Sequence, residues 1–271
     1  MRTELTRLPA LLRLALRRTR ANTAAWTLGV FLLSALQLSA YPAVRAVAAD
    51  LVRLMDNYPP ALRTLFDIGG DFATGPGYLR AELFSLTVPL MLIGLAVSQA
   101  SAATAVDERG GTLEFLLANP ISRTALLAAK GLAVLLNLLL CAAVLAVTVL
   151  TGSLLADLDV GVGGVLGAVA VSTLIAAVFG AVALAVGAAT GRRGAATAVG
   201  TGLALLTFLV SSLGERVGWL HPWRVLSPFT AAPGAALTDG FPVLGAVLIA
   251  TASVAATVAA AVVFARRDLH T

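Results

Sequence analysis

The sequence predicts an all-α polytopic membrane protein with six spanning helices. Three observations lead there. Of 271 residues, 59% are hydrophobic and 12% charged, with a mean hydropathy of +0.92. A soluble domain has no interior large enough to hide that much apolar surface. The apolar residues also gather in long runs, and about 20 in a row suffice to cross a bilayer. Finally, the runs lack the short alternating pattern of a membrane barrel, and in lipid an uninterrupted run satisfies its backbone only as a helix.

Taken in order, the spans are residues 22–41, 83–106, 126–151, 160–189, 195–213 and 243–265. The fourth is long and rich in Gly and Ala, a composition that leaves room for a hidden break. Residues 1–21 precede the first span as an amphipathic helix. Pro9 suits a first helical position. Leu11, Leu12, Ala15 and Leu16 then share one face, with Arg13, Arg17 and Arg20 roughly opposite. Such a helix belongs in the membrane interface against anionic lipid, and it equally serves as a topogenic tail. Trp26 and Tyr41 stand where the two interfaces should fall.

Two connections are large. In residues 42–82, Leu51, Leu54, Met55, Leu62, Leu65 and Phe66 are the apolar members. Pro59-Pro60 divides this stretch into two short helices, and Gly69, Gly70, Gly75 and Gly77 are expected to end it flexibly. Residues 214–242 hold Trp219, Trp223, Phe229 and Phe241 among four prolines, as interfacial helices or a shallow re-entrant segment would. His221, between the tryptophans, reads as an interfacial polar residue rather than a gate.

Charge sets the orientation. With the termini inside, the inner segments carry 13 of the 19 Lys and Arg residues and the outer segments 6, while the 14 acidic residues split 5 to 9. Cationic bias places both termini and the 107–125 connection in the cytoplasm, with the chain multi-pass in the cell membrane. The pI near 10.3 then reflects topology, and no nucleic-acid partner is expected.

No Asp, Glu, Lys, Arg or His falls in the middle of the six spans, whereas ion-coupled transporters place relays there. Gln37, Gln99 and Asn137 are the amides available, and interhelical hydrogen bonding is their ordinary use. Gln37 and Asn137 are also candidates to line a substrate path. Small-xxx-small spacings at Gly163…Gly167, Ala176…Gly180 and Gly187…Gly191 favour packing within the chain over a dimer seam. No HExxH, GxSxG or GxxxxGK[ST] occurs, and Lys130 is the sole lysine. The chain is therefore not expected to be an enzyme or to hold a cofactor or metal.

The most patterned segment is DERGGTLEFLLANPISRTALLAAK, residues 107–130. Asp107-Glu108 leave the second span and Gly110-Gly111 permit a sharp turn. From Thr112 a short helix places Leu113, Leu116 and Leu117 on one side and Glu114 elsewhere. Asn119-Pro120 stops it, and Ser122 caps the next helix, which carries Arg123 and Lys130 into the third span. This is a helical hairpin, apolar on one face and charged on the other. Its spacing alone leaves a surface connector and a docking surface for a motor both open.

This segment resembles the signature of ABC-2 type transporter permeases. An acidic-basic pair, G-T-L-E, a leucine pair, a Pro-Ile-Ser-Arg turn and a downstream Lys correspond to Glu108, Arg109, Gly111, Thr112, Leu113, Glu114, Leu116, Leu117, Pro120, Ser122, Arg123 and Lys130. YPPALRTLF and the closing FARRDL look similar too, whereas the Gly110-Gly111 doublet departs from the usual acidic or polar residue before the glycine. The resemblance implies a separate cytoplasmic ABC ATPase using ATP and Mg, whose closure pushes the hairpin. It also implies a second permease chain, as a homodimer or a sister subunit, and export as the direction. Glu108, Arg109 and Glu114 would hold the hairpin and partner through charge pairs, and the three leucines would pack the hairpin against the ATPase or the neighbouring amphipathic helix. A stand-alone facilitator or channel, or a scaffold that docks a cytoplasmic protein, is the alternative.

Overall fold

Among the residues that the computed structural model describes (2–55, 74–109, 122–214 and 217–266), no β-strand occurs, and six helices are long and apolar enough to cross a membrane. The first is α1, Arg2–Met55, a single helix of 54 residues. At 1.5 Å per residue it is about 80 Å long, far more than the roughly 30 Å hydrocarbon core. Two expectations change here. No break separates the amphipathic segment 1–21 from the first span, and the helix runs through Pro42 well into the expected outer loop. The cause is local. Residues 43–55 are mostly Ala, Leu, Val and Arg, good helix formers apart from valine, and one proline removes only one backbone bond. Along the amino-terminal part of α1, Leu11 is buried, Leu12, Ala15 and Leu16 are half-buried, and Arg13, Arg17 and Arg20 are exposed.

The second span begins earlier than residue 83. It starts as α2, Gly75–Leu79, passes through a π turn at Arg80–Phe84, and continues as α3, Thr87–Arg109. Thr74 caps α2, its hydroxyl accepting from the Gly77 N–H. Gly75 and Gly77 are thus helical and buried, not a flexible loop end. Gly75 is required by close approach, since a Cβ there would lie 1.8 Å from the Leu158 carbonyl oxygen. Leu158 is itself 1% exposed and held between Asp157 and Asp159, both with positive φ. This short loop between the third and fourth spans is therefore folded inward as a plug. Gly75→Ala is expected to cost about 1.5 kcal/mol by overpacking, read as a lower melting midpoint in detergent. Melting together with wild type would show that the plug withdraws freely.

The remaining spans are α4, Arg123–Leu155; α5, Val162–Thr190; α6, Arg193–Leu213; and α7, Val243–Arg266. The helix at the fourth-span position is unbroken. It contains no proline, and Ser172 and Thr173 return their hydroxyls to the carbonyls of Ala168 and Val169. Gly191, at φ +65°, closes it with a left-handed cap, its N–H donating to Gly187 O.

Helix α5 is the central post, packed by α3, α4, α6 and α7. The most apolar stretch of α5 is 67% buried, against 17% for α7 and 22% for both α1 and α6. Small residues make the post possible: a Cβ on Gly180 would sit 3.0 Å from Ala96 Cβ, and one on Gly167 would sit 3.2 Å from Ala236 Cβ. The peripheral helices present large apolar side chains outward, among them Leu36, Leu206 and Leu244, as a lipid-facing surface demands.

Residues 217–242 form three successive 3₁₀ turns, His221–Leu226, Pro228–Ala231 and Pro233–Leu237. Ser227 Oγ donates to Thr207 O of α6 at 2.8 Å, and Phe229 turns inward against Phe208 and Phe179. Trp219 and Trp223 point out, 72% and 57% exposed, as interfacial tryptophans do.

Candidate functional site

The amino-terminal part of α1, the end of α3 and the start of α4 meet at one end of the bundle. Their spacing puts Thr19, Asn22 and Thr23 three and four residues apart, so all three share one face of α1. That face meets Gln99 of α3 and Asn137 of α4. Asn137 Nδ2 donates to Gln99 Oε1 at 2.8 Å and to Thr19 Oγ1 at 2.9 Å. Gln99 Nε2 donates to Thr23 Oγ1 at 2.9 Å and to Asn22 Oδ1 at 3.3 Å. The threonine hydroxyls give their own protons to backbone, Thr19 to Ala15 O and Thr23 to Thr19 O. Their lone pairs are therefore left to accept from the amides. Gln99, Asn137 and Thr23 are buried. Three helices are knotted by polar bonds within an otherwise apolar bundle.

Beside the knot lies a cavity of about 210 Å³, walled by Leu11, Leu14 and Arg18 of α1, Ala102 of α3, and Leu126 and Lys130 of α4. Lys130 Nζ donates to the Ala103 carbonyl, a second tie between α3 and α4. The Lys130 tie is the nearer to the joint of these helices; Asn137 lies about 21 Å along α4 from its start at Arg123. Helix α3 ends at Arg109, and α4 begins at Arg123 with Ser122 as its cap, the hydroxyl accepting from Ala125 N at 3.2 Å. Gly111, Thr112, Leu113, Glu114, Leu116, Leu117 and Pro120 of the expected hairpin lie outside the described residues, as do the side chains of Glu108, Arg109 and Arg123.

Gln37 is at the other end of the bundle. Its Nε2 donates to Glu82 Oε2 at 3.1 Å, and the Tyr78 hydroxyl donates to its backbone carbonyl at 2.7 Å. Gln37 and Asn137, paired above as candidate path residues, thus belong to separate clusters. Asn137 also borders an open groove between α1 and α4, beside Arg20, Phe31 and Leu140. Because the second span starts at Gly75, Arg80 and Glu82 fall inside its helical run near one end, where the apolar pattern alone shows no charge. Asn22 and Thr23 were likewise not marked by composition. Their signal was the 3–4 spacing with Thr19. Among the described residues, no group of three or more His, Cys, Asp or Glu is placed to hold a metal ion.

No curated protein matches the chain. A protein-family model described as "Multidrug efflux system permease Rv1217c, C-terminal domain" matches residues 8–265, which takes in all six apolar helices apart from their extreme ends. This multi-pass membrane protein is a transport permease that belongs to the multidrug efflux permease family represented by that domain.

Proposed function

We propose that this chain is the membrane subunit of an ABC-2 type exporter, driven by a separate cytoplasmic ATPase that consumes ATP and Mg. The chain itself performs no hydrolysis and holds no cofactor. The observation that carries this reading is the joint between α3 and α4. Its residues 107–130 resemble the coupling segment of such permeases, and beyond it the same two helices are tied first by Lys130 to Ala103 and, one to two turns deeper, by the Gln99–Asn137 knot. A push on the hairpin would be carried along α3 and α4 to the knot and pass into α1 through Thr19 and Thr23. The family match supports a role in efflux. The cationic bias supports cytoplasmic termini in the cell membrane, and a second permease chain, identical or sister, completes the path.

Purification from the native membrane in mild detergent tests the assignment. The expected companion is a stoichiometric soluble ATPase, lost when residues 113–123 are altered. A chain that emerges alone, where other membrane complexes survive, would shift the reading to a facilitator or scaffold. Gln37→Leu and Asn137→Leu test the substrate path. Export at wild-type rate in both would remove these amides from it.

A further inference from the structure

The open groove between α1 and α4 has a volume of about 510 Å³. Leu28 and Phe31 of α1 and Leu140 and Val144 of α4 give it apolar walls. Leu28, Phe31 and Leu140 are exposed, so the groove opens sideways toward lipid. Asn137, only 6% exposed, lines it as well.

Counting protons in the amide knot isolates one atom. Both amide protons of Asn137 are committed, one to Gln99 Oε1 and one to Thr19 Oγ1. Gln99 gives its own two to Thr23 and Asn22, and the threonine hydroxyls give theirs to backbone. Among the described residues, none donates to Asn137 Oδ1, yet that oxygen keeps accessible surface. A side-chain amide oxygen can accept two hydrogen bonds.

Depth limits what can answer it. Asn137 lies about 21 Å along α4 from Arg123 and about 27 Å from Leu155, close to the middle of the helix. Lipid at that depth is hydrocarbon and carries no donor. An unmet acceptor is costly in such surroundings. A charged donor would itself be expensive to bring there, so the fitting partner is uncharged.

We propose that this groove binds an uncharged apolar molecule that gives one N–H or O–H to Asn137 Oδ1 and lays its body along Phe31 and Leu140. That such molecules are cargo rests on the efflux role proposed above. Binding itself needs neither motor nor nucleotide, so its test stands apart from that role.

Carbazole and 9-methylcarbazole are the probes, alike in shape and differing in the N–H. Each, radiolabelled, is titrated against the full chain in phosphatidylcholine nanodiscs, with empty nanodiscs subtracting what dissolves in lipid. The expected result is saturable carbazole binding, about fivefold weaker for 9-methylcarbazole, since one hydrogen bond separates them. Leu140→Trp should fill the groove and abolish binding while leaving the knot intact, and an exposed position tolerates the larger side chain. Leu154→Trp, exposed near the far end of α4, should bind as wild type does. Equal affinity for the two probes, no saturable binding by wild type, or full binding by a folded Leu140→Trp would overturn the proposal. If Leu140→Trp does not fold, the probe pair decides by itself.

Discussion

Glu114→Lys combined with Arg123→Glu is expected to reduce export at least about tenfold while the partner ATPase still hydrolyses ATP. The prediction rests on the proposed coupling role of the hairpin. Charges at an interface fix register, and like charges brought together cost several kcal/mol. Tenfold in rate needs only about 1.4 kcal/mol. Arg123 makes the test clean. It is the first residue of α4, and no acidic residue occupies that first turn. A helix amino terminus disfavours a cation by about 0.3–1 kcal/mol, so Arg123→Glu should, if anything, firm the helix. Loss of export therefore reports lost coupling and not lost fold, provided the melting midpoint is unchanged. Paired measurements of ATP hydrolysis and export in proteoliposomes decide it, and unaltered coupling would count strongly against the exporter assignment.

Gln99→Leu should destabilise the chain by about 2 kcal/mol. It removes three recorded hydrogen bonds, to Asn22, to Thr23 and from Asn137. Interhelical bonds in membrane proteins average about 0.6 kcal/mol each, and a polar atom stranded in a buried site adds more. Asn137→Leu breaks one of the same bonds, so the double variant should lose clearly less than the sum of the two singles. Denaturant unfolding in detergent, run as a double-mutant cycle, measures this coupling. Strict additivity would show that the amides do not act as a unit. If Asn137→Leu instead kept full stability but lost export, Asn137 would be reassigned to the substrate path.

The two predictions divide as the information in the molecule divides. Class and span number were legible from the chain alone, because a hydrocarbon environment leaves a long apolar run no option but a helix. Ser122 caps α4 as its type and position suggest, while residues 110–121 of the expected hairpin lie outside the described residues. The limits of the first two spans were not legible. Pro42 and the glycines at 75 and 77 look like breakers in one dimension, but α1 continues through the first, and α2 uses the others to press against Leu158.

Composition by itself determined that this protein lives in a bilayer, how often it can cross, and where its patterned connection lies. Those properties depend on transfer of side chains to lipid and on local backbone preference, both additive along the sequence. Tertiary structure alone decided that Gln99 and Asn137 join one knot while Gln37 pairs with Glu82, and that Arg80 and Arg224 share a cavity. Gln37 and Glu82 are 45 residues apart, Gln99 and Asn137 are 38 apart, and Asn137 and Thr19 are 118 apart. Nothing local fixes which faces of packed helices meet. The fit of small residues around α5 settles that.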